Sequence, residues 1–241
     1  MELKICHLYP DVLFGDRGNV LCLQQRLLWR GIDCTVTEVP IGTQAELSDF
    51  DLFFLGGAED FEQNALLEDL SGKKAEDIRT AVEAGKVFLA VGSGMQLMGK
   101  YRVRGGEKTA LIGAVDLYTE LAAERLTGNF AFSCEAVDGG TVVGFENHAG
   151  RTYLGEGLSP LGKVLAGHGN NGEDGTEGFR YKNLFGSYCH GPLLPKNPLL
   201  ADAILLTALQ RKYPEAVLSP LDDRFENEAH DVMVKRLCPT R

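Results

Sequence analysis

The sequence predicts an α/β fold: an open, mostly parallel sheet covered by helices on both faces, with added antiparallel strands in the second half. Short apolar strand segments alternate with helical segments through residues 3–91. Two of these strands, DLFFLGG at 51–57 and KVFLAV at 86–91, lack the polar alternation of a half-exposed strand, which is typical of strands buried on both faces. The second half instead contains short strand-like stretches separated by Gly, Asn and Asp.

The first half is built from alternating strands and helices. A helix follows the loop GDRGN at 15–19, because apolar residues recur at helical spacing from Val20 until Gly31. An amphipathic helix is predicted at 73–85, and strands are predicted at 3–8, 33–39, 51–57 and 86–91. Ligands of such sheets bind at the carboxyl ends of the strands, so the loops 8–19, 55–63 and 91–96 are expected to converge on one crevice.

The second half adds strands and two final helices. Predicted strands cover 111–118, 126–134, 140–146, 162–167, 177–181 and 183–188, and predicted helices cover 198–213 and 221–237. No repeat or low-complexity linker divides the chain, so we predict one domain over residues 1–241.

The composition narrows the class of function. The 241 residues carry a formal net charge of −10, which disfavours binding to nucleic acid or to an anionic membrane. No apolar run approaches the ~18 residues of a membrane helix, and the opening MELKICHLYP is a strand rather than a secretory signal, so a cytoplasmic protein is expected. The six cysteines form no C-x-x-C pair, which indicates free thiols rather than a metal site, and no cofactor is expected.

The stretch FLAVGSGMQLMG at 88–99 reads as a strand, a tight turn and a helix. It is not a dinucleotide loop, because Leu97 stands where the third Gly belongs, and it lacks the Gly-Lys-Ser/Thr of a P-loop and the G-x-S-x-G of serine hydrolases. It fits the C-x-G-x-Q elbow of class I glutamine amidotransferases at Gly94 and Gln96. Gly92 occupies the position of the nucleophilic Cys.

Further stretches support this alignment over nearly the full length. They are LYP at 8–10, GDRGN at 15–19, LGGAEDFEQ at 55–63, GMQLMG at 94–99, ERLTGN at 124–129, VVGFENHAGRTYLG at 142–155 and GSYCHGPLLPKNPLLAD at 186–202. The chain resembles the cobyric-acid-synthase-like branch of class I glutamine amidotransferases and, within it, the glutaminase subunits of lipid II isoglutaminyl synthases. The resemblance implies hydrolysis of L-glutamine to glutamate and ammonia. The ammonia would pass to an ATP-dependent, Mur-ligase-like (MurT-like) partner in a heterodimer, which amidates the D-glutamate of lipid II.

The resemblance also implies roles for individual residues. A Cys at the position of Gly92 would attack the substrate carbonyl, with His190 as the base. Backbone N–H groups of Gly57 and Ser93 would form the oxyanion hole. Arg125 would bind the substrate carboxylate, and Gln96 would line the substrate site.

Two departures from the family pattern stand out. Pro192 occupies the position of an orienting Glu found in many class I amidotransferases, as is common in this branch, so the group that orients His190 is unnamed.

Gly92 offers no nucleophile, so we predict an inactive chain. Three explanations compete: an engineered Cys-to-Gly substitution, which we favour, a natural glutaminase without a nucleophile, and replacement of the thiol by Ser93. The alternative functions are a non-catalytic scaffold or regulatory subunit of an amidoligase, and a glutaminase module for corrin amidation.

Several other residues have both a structural and a functional interpretation. Taken alone, His190 is more typical of a buried structural histidine, and only its family context favours the base. Cys189 should point away from His190 on an extended strand, and Cys22 lies inside a predicted helix. A structural role and a site-lining role are equally open for His148, and Asp16 and Asn19 are expected to shape the first crevice loop. The acidic residues Glu59, Asp60 and Glu62 most simply form a solvated face.

Overall fold

The computed structural model describes residues 1–12, 16–58, 62–138 and 140–239, without the side chains of 63 and 64. Six α-helices are described in these ranges: α1 (Arg17–Leu28), α2 (Glu62–Asp69), α3 (Gly72–Glu83), α4 (Ser93–Leu97), α5 (Pro198–Lys212) and α6 (Arg224–Leu237). The strands are β1 (Glu2–Leu8), β2 (Asp33–Val39), β3 (Leu52–Leu55), β4 (Val87–Val91), β5 (Tyr101–Arg104), β6 (Glu107–Ala110), β7 (Leu117–Cys134), β8 (Gly140–Leu154), β9 (Gly162–Ala166), β10 (Thr176–Glu177), β11 (Phe179–Tyr181) and β12 (Leu184–Ser187).

The main sheet has the strand order β11-β12-β4-β3-β1-β2. Neighbouring strands are parallel from β12 to β2, and only the edge strand β11 is antiparallel to β12. The predicted open and mostly parallel sheet is therefore confirmed. Its strand ends bring the turns after β3, β4 and β12 to the same edge.

Helices cover both faces of this sheet because successive side chains of each strand point to opposite sides. In β3, Leu52 and Phe54 pack into one hydrophobic core, which also contains apolar residues of α1 and α5. Phe53 and Leu55 pack into a second core together with residues of α2, α3 and α4. The fully apolar strands predicted from the sequence are thus buried on both faces.

The second sheet has the strand order β10-β9-β7-β5-β6, and β8 also pairs with β7. All its pairings are antiparallel except that of β5 with β7. The long β7–β8 ladder changes register between Leu121 and Leu126, where Leu121 lies opposite Gly150 and Leu126 opposite His148. This bulge interrupts the ladder beside the main sheet and redirects the intervening side chains.

Some predicted elements are wrong. Most of the segment 111–118 is a loop, because its amides bond back to α4 and the turn after it, as Ile112 does with the carbonyl of Leu97. The single strand predicted at 177–181 is two strands in different sheets, separated at Gly178, whose φ is +57°. Helix α2 and the hairpin β5–β6 were not predicted from the sequence. In the described ranges, no helix combines the length and apolar character needed to cross a membrane.

Candidate active site

A cavity of about 560 Å³ lies at the carboxyl edge of the main sheet, within the size range of small-molecule sites. Its lining residues come from the ends of β3, β4 and β12, from the β7–β8 arm and from the residue before α1. They are Asp16, Gly57, Ala58, Val91, Gly92, Ser93, Gln96, Leu121, Arg125, Asn147, His148, Ala149, Gly150, Tyr188, His190 and Gly191. All six residues assigned to the site from the sequence line this one cavity.

Gly92 forms the turn between β4 and α4. Its backbone has φ 61° and ψ −125°, a conformation that L-residues rarely adopt. Its N–H donates to the carbonyl of Ser187 at 2.8 Å, which continues the pairing of β4 with β12. Gly94 approaches the preceding strand so closely that a Cβ there would lie 2.4 Å from the carbonyl oxygen of Leu55. The turn therefore has the strained geometry of a nucleophile elbow.

The position of Gly92 has room for a side chain. A Cβ built on Gly92 would meet nothing nearer than the Cα of Gly57, at 3.9 Å, which is an ordinary van der Waals contact. A Cys at this position would therefore be opposed by backbone strain but not by a steric clash. As the chain stands, position 92 itself carries no side chain and therefore no thiol.

Ser93 holds the elbow to the loop after β3. The N–H of Ala58 donates to the Ser93 hydroxyl at 2.7 Å, and the hydroxyl in turn contacts the carbonyl of Ala58 at 3.2 Å. As the first residue of α4, Ser93 has a backbone N–H that no intrahelical carbonyl accepts. This geometry favours the Ser93 N–H as an oxyanion donor and gives its hydroxyl a structural role. It argues against Ser93 as a substitute nucleophile.

His190 lies just beyond β12 and is held between the two sheets. Its backbone pairs with Phe145 of β8, with N–H to carbonyl distances of 2.9 and 3.3 Å. Its Nδ1 lies 3.0 Å from the carbonyl oxygen of Tyr188. Because a carbonyl can only accept, Nδ1 carries a proton in this contact, and the Nε2 of the neutral ring is free to accept one.

Arg125 lies within the bulge of the β7–β8 ladder. Its Nε donates to the side-chain oxygen of Asn147 at 2.6 Å, and its Nη2 donates to the Asn147 carbonyl at 2.7 Å. Asn147 thus orients the guanidinium through one edge. The Nη1 group has no role in these two bonds and can serve a substrate carboxylate. Asn147 was not identified from the sequence, because its role depends on strand register.

Gln96 belongs to a buried polar network behind the cavity. Its side-chain N–H donates to the hydroxyl of Tyr188 at 3.0 Å, and that hydroxyl lies 2.6 Å from the hydroxyl of Thr152. The ring of His148 stacks on Tyr188 with centroids 3.6 Å apart. Burial lowers the pKa of His148, which favours its neutral form. This histidine lines the cavity as a packed aromatic group.

The first crevice loop also reaches the cavity, although residues 13–15 lie outside the described ranges. Asp16 lines the cavity, and burial raises the pKa of its carboxyl. The buried side chain of Asn19 donates to Asp16 at 2.7 Å and accepts from the backbone N–H of Leu194 at 2.8 Å. Asn19 therefore ties this loop to the segment that follows His190.

The remaining candidates lie elsewhere. Burial raises the pKa of the Cys189 thiol well above its ordinary value and that of Cys22 to about 11, so neither is a ready thiolate at neutral pH. Glu62 begins α2 and is half-buried rather than fully solvated. Glu59 and Asp60 lie outside the described residues.

Known proteins resemble this chain in sequence over most of its length. The CobB/CobQ-like glutamine amidotransferase domain matches residues 4–198. The chain is 39% identical to the lipid II isoglutaminyl synthase (glutamine-hydrolyzing) subunit GatD of Staphylococcus aureus, over 98% of this chain and 96% of that protein. It is 38% identical to the same subunit of Streptococcus pneumoniae, over 97% of this chain and 93% of that protein.

A solved structure shares the fold. PurLQS from Thermotoga maritima superposes with a TM-score of 0.60 at 14% identity, covering 88% of this chain and 100% of that chain. This similarity concerns the fold alone. The domain match and the two nearly full-length relatives show that the chain belongs to the CobB/CobQ-like glutamine amidotransferases.

Proposed function

We propose that this chain is the glutamine-binding subunit of a ligase that amidates lipid II, and that its site is built to hydrolyse L-glutamine to glutamate and ammonia. The observation that carries the proposal is the convergence of the Gly92 elbow, His190 and Arg125 on one cavity. The near-full-length identity to two GatD subunits supports lipid II as the final acceptor of the ammonia.

The chemistry requires a thiol at position 92. The Nε2 of His190 takes the thiol proton, and the thiolate attacks the side-chain carbonyl carbon of glutamine. The resulting oxyanion accepts hydrogen bonds from the N–H groups of Ser93 and Gly57. Collapse of this intermediate breaks the C–N bond, and His190 returns the proton to the departing ammonia. Water then hydrolyses the thioester to glutamate, with His190 again as the base.

The substrate is held at its other end. The guanidinium of Arg125, oriented by Asn147, binds the α-carboxylate of glutamine through charge-assisted hydrogen bonds. Gln96 supports the floor of the cavity through its bond to Tyr188. Neither the carboxylate contact of Arg125 nor the support from Gln96 requires a side chain at position 92. We therefore expect this chain to bind glutamine without turning it over.

The released ammonia needs an acceptor on another protein. We propose a heterodimer with an ATP-dependent, Mur-ligase-like subunit that uses ammonia to amidate the D-glutamate of lipid II. A cytoplasmic location belongs to this proposal, because the partner needs ATP. The coverage of both chains in the two GatD comparisons favours a separate subunit over a module for corrin amidation.

Glutaminase assays of the complex with the ligase partner test this proposal. Three chains are compared: the unchanged chain, Gly92→Cys, and Gly92→Ala, which introduces the same backbone strain without a thiol. Only Gly92→Cys is expected to release glutamate, while the unchanged chain binds glutamine in calorimetry. Absence of turnover by a folded Gly92→Cys chain would contradict the proposed site, and turnover by the unchanged chain would contradict its inactivity.

Gly92 itself favours a second candidate function, that of a scaffold or regulatory subunit. A scaffold raises the partner's activity with free ammonium without using glutamine. The discriminating measurement is the partner's rate with ammonium salts, in the presence and absence of the unchanged chain. An increase that glutamine does not affect favours the scaffold.

A further inference from the structure

The contact that orients His190 is a backbone carbonyl. Its Nδ1 donates to the carbonyl oxygen of Tyr188 at 3.0 Å, while Pro192 stands where an orienting carboxylate would be expected. A neutral peptide carbonyl is a weaker acceptor than a carboxylate. The strength of this contact therefore depends on what bonds to the other end of the same peptide unit.

The peptide unit between Tyr188 and Cys189 is the first member of a buried chain of hydrogen bonds. The N–H of Cys189, in the same peptide unit as the Tyr188 carbonyl, donates to the hydroxyl of Ser187 at 3.0 Å. The Ser187 hydroxyl donates to Oε1 of Glu177 at 2.7 Å. Ser187 and Glu177 are both 0% exposed. A carboxyl group thus terminates an unbroken chain of donors and acceptors that begins at the imidazole.

The same carboxyl oxygen also supports the elbow. Oε1 of Glu177 accepts from the N–H of Tyr188 at 2.8 Å. The carbonyl of that peptide unit belongs to Ser187 and accepts the N–H of Gly92 at 2.8 Å. One oxygen is therefore linked to His190 through one peptide and to the nucleophile position through the next.

Glu177 reaches this place from the second sheet. It lies in β10, which pairs with β9 at Gly162, and it bonds to the end of β12 in the main sheet. Its other oxygen, Oε2, has no hydrogen-bond partner among the described residues. Burial raises the pKa of Glu177 to about 7. Burying such a group is costly, and a purely structural contact would need only a neutral acceptor.

We propose that Glu177 is the positioning residue of His190: through Ser187 and the 188–189 peptide, it holds the imidazole in the Nδ1–H tautomer. In the glutaminase reaction, this leaves Nε2 as the proton acceptor. The role in catalysis rests on the proposed function, whereas the tautomer is a property of the chain itself. Glu177 does not line the cavity, so it acts on His190 only through these bonds.

Nitrogen NMR of the full chain with ¹⁵N-labelled histidine tests the proposal directly. The spectra separate the two tautomers, and a His190→Gln chain identifies the His190 signals. In the unchanged chain, the neutral His190 ring is expected to be mainly Nδ1–H. Glu177→Leu removes the terminal acceptor, Ser187→Ala interrupts the chain, and Glu177→Gln keeps a neutral acceptor. We expect the tautomer ratio to change most in Glu177→Leu, by up to about 10-fold, because the change is limited by the strength of the one hydrogen bond at Nδ1. The smallest change is expected in Glu177→Gln.

The matched control is Asp69→Asn, which makes the same carboxyl-to-amide change at another largely buried carboxylate. Among the described residues Asp69 bonds to Tyr9, Gly42 and Lys74 and lies outside the cavity lining, so the His190 tautomer ratio should not change. If Glu177→Leu does not fold, Ser187→Ala decides. A ratio within twofold of the unchanged chain in Ser187→Ala, or in a folded Glu177→Leu chain, overturns the proposal.

A second measurement separates this proposal from the proposed function. In a Gly92→Cys chain with its partner, Ser187→Ala should lower kcat by about 10-fold to 100-fold and leave the KM for glutamine within twofold. A kcat unchanged by Ser187→Ala overturns the positioning role. If no Gly92→Cys chain shows glutaminase activity while the tautomer ratio shifts as expected, the proposed function fails and the positioning of His190 stands.

Discussion

The turns that follow β4 and β12 both line the cavity, but they differ in the side chains that they present to it. The β4 turn keeps its strained backbone and its bonds to neighbouring loops but has no side chain at Gly92. The β12 turn keeps His190, and the bonds that hold its ring lead to a buried carboxyl group. The bonds that hold these two turns involve no side chain at position 92. A site of this architecture can therefore keep its backbone geometry and its histidine whether or not position 92 carries a nucleophile.

The prediction with the largest expected effect on kcat is that the β4 turn and the β12 turn act together. In a Gly92→Cys chain, His190→Gln should lower kcat by about 10²-fold to 10⁴-fold, because the thiol loses its base. Glutaminase assays of the complex measure this loss. The control, His168→Gln, changes a histidine outside the cavity lining and should keep the Gly92→Cys rate. An active double variant would show that His190 does not serve the elbow.

The second prediction concerns the buried carboxyl group behind the β12 turn. The pKa of Glu177 is about 7 in the folded chain against an ordinary 4.5, so the folded state holds its proton over a range in which the unfolded chain releases it. The stability that this gives is fully present below pH 4.5 and is lost as the pH rises to about 7. The free energy of unfolding, relative to that of Glu177→Gln, should fall by about 3 kcal/mol across this window.

Urea unfolding at several pH values measures this difference. Four titratable groups lie near Glu177, namely Glu146, Cys134, Tyr188 and Cys189. Contact with the two histidines and the 168–169 backbone lowers the pKa of Glu146. Burial raises the pKa of Tyr188 to about 12 and keeps both thiols neutral, so none of the four groups titrates strongly in the window. A difference that does not vary between pH 4.5 and 8 would contradict the raised pKa.

The third prediction is that the unchanged chain binds glutamine through Arg125, without a nucleophile at position 92. Arg125→Ala in the unchanged chain should raise the Kd for glutamine by about 10-fold to 100-fold, because a charge-assisted contact is lost. Calorimetry measures the change. Asn147→Ala, which leaves the guanidinium but removes the side-chain acceptor that orients it, should have a smaller effect. Equal affinity in all three chains would place the α-carboxylate elsewhere.

The smallest effect concerns backbone strain at the elbow. Gly92→Ala should reduce the free energy of unfolding by about 1–3 kcal/mol, because Ala must adopt φ near 61°. The surrounding space accommodates its Cβ, so the cost is conformational. A matched substitution, Gly128→Ala, adds a Cβ at a position with nothing within 4 Å and without a positive φ, and it should change stability less. Thermal unfolding compares the two chains.

The sequence predicted those elements that are marked by apolar runs or by motif spacing within a few residues. The apolar runs of β3 and β4 and the spacing of Gly94 and Gln96 identified the central strands and the turn between β4 and α4. The hairpin β5–β6 was missed because half of its residues are charged and it contains few apolar side chains. The segment 111–115 is apolar because it packs beneath α4, and strand pairing plays no part.

Residues whose roles depend on distant contacts were not predicted. Glu177 and Ser187 are 10 residues apart in the sequence but belong to different sheets. Only the packing of the two sheets brings the carboxyl and the hydroxyl together. Asn147 reaches Arg125 only because the β7–β8 ladder shifts register. Neither contact leaves a periodic pattern in the sequence. The site residues assigned by motif all line the cavity, while their chemical roles stay predictions.

The bond between Ser93 and Ala58 has a consequence for measuring the motions of this protein. The amide proton of Ala58 is held by a hydroxyl on the elbow, so it exchanges with solvent only when the elbow and the loop after β3 separate. Its hydrogen-exchange rate therefore reports the opening of the site independently of any reaction there. This single amide supplies a signal by which the binding of glutamine or of a partner protein can be detected without an activity assay.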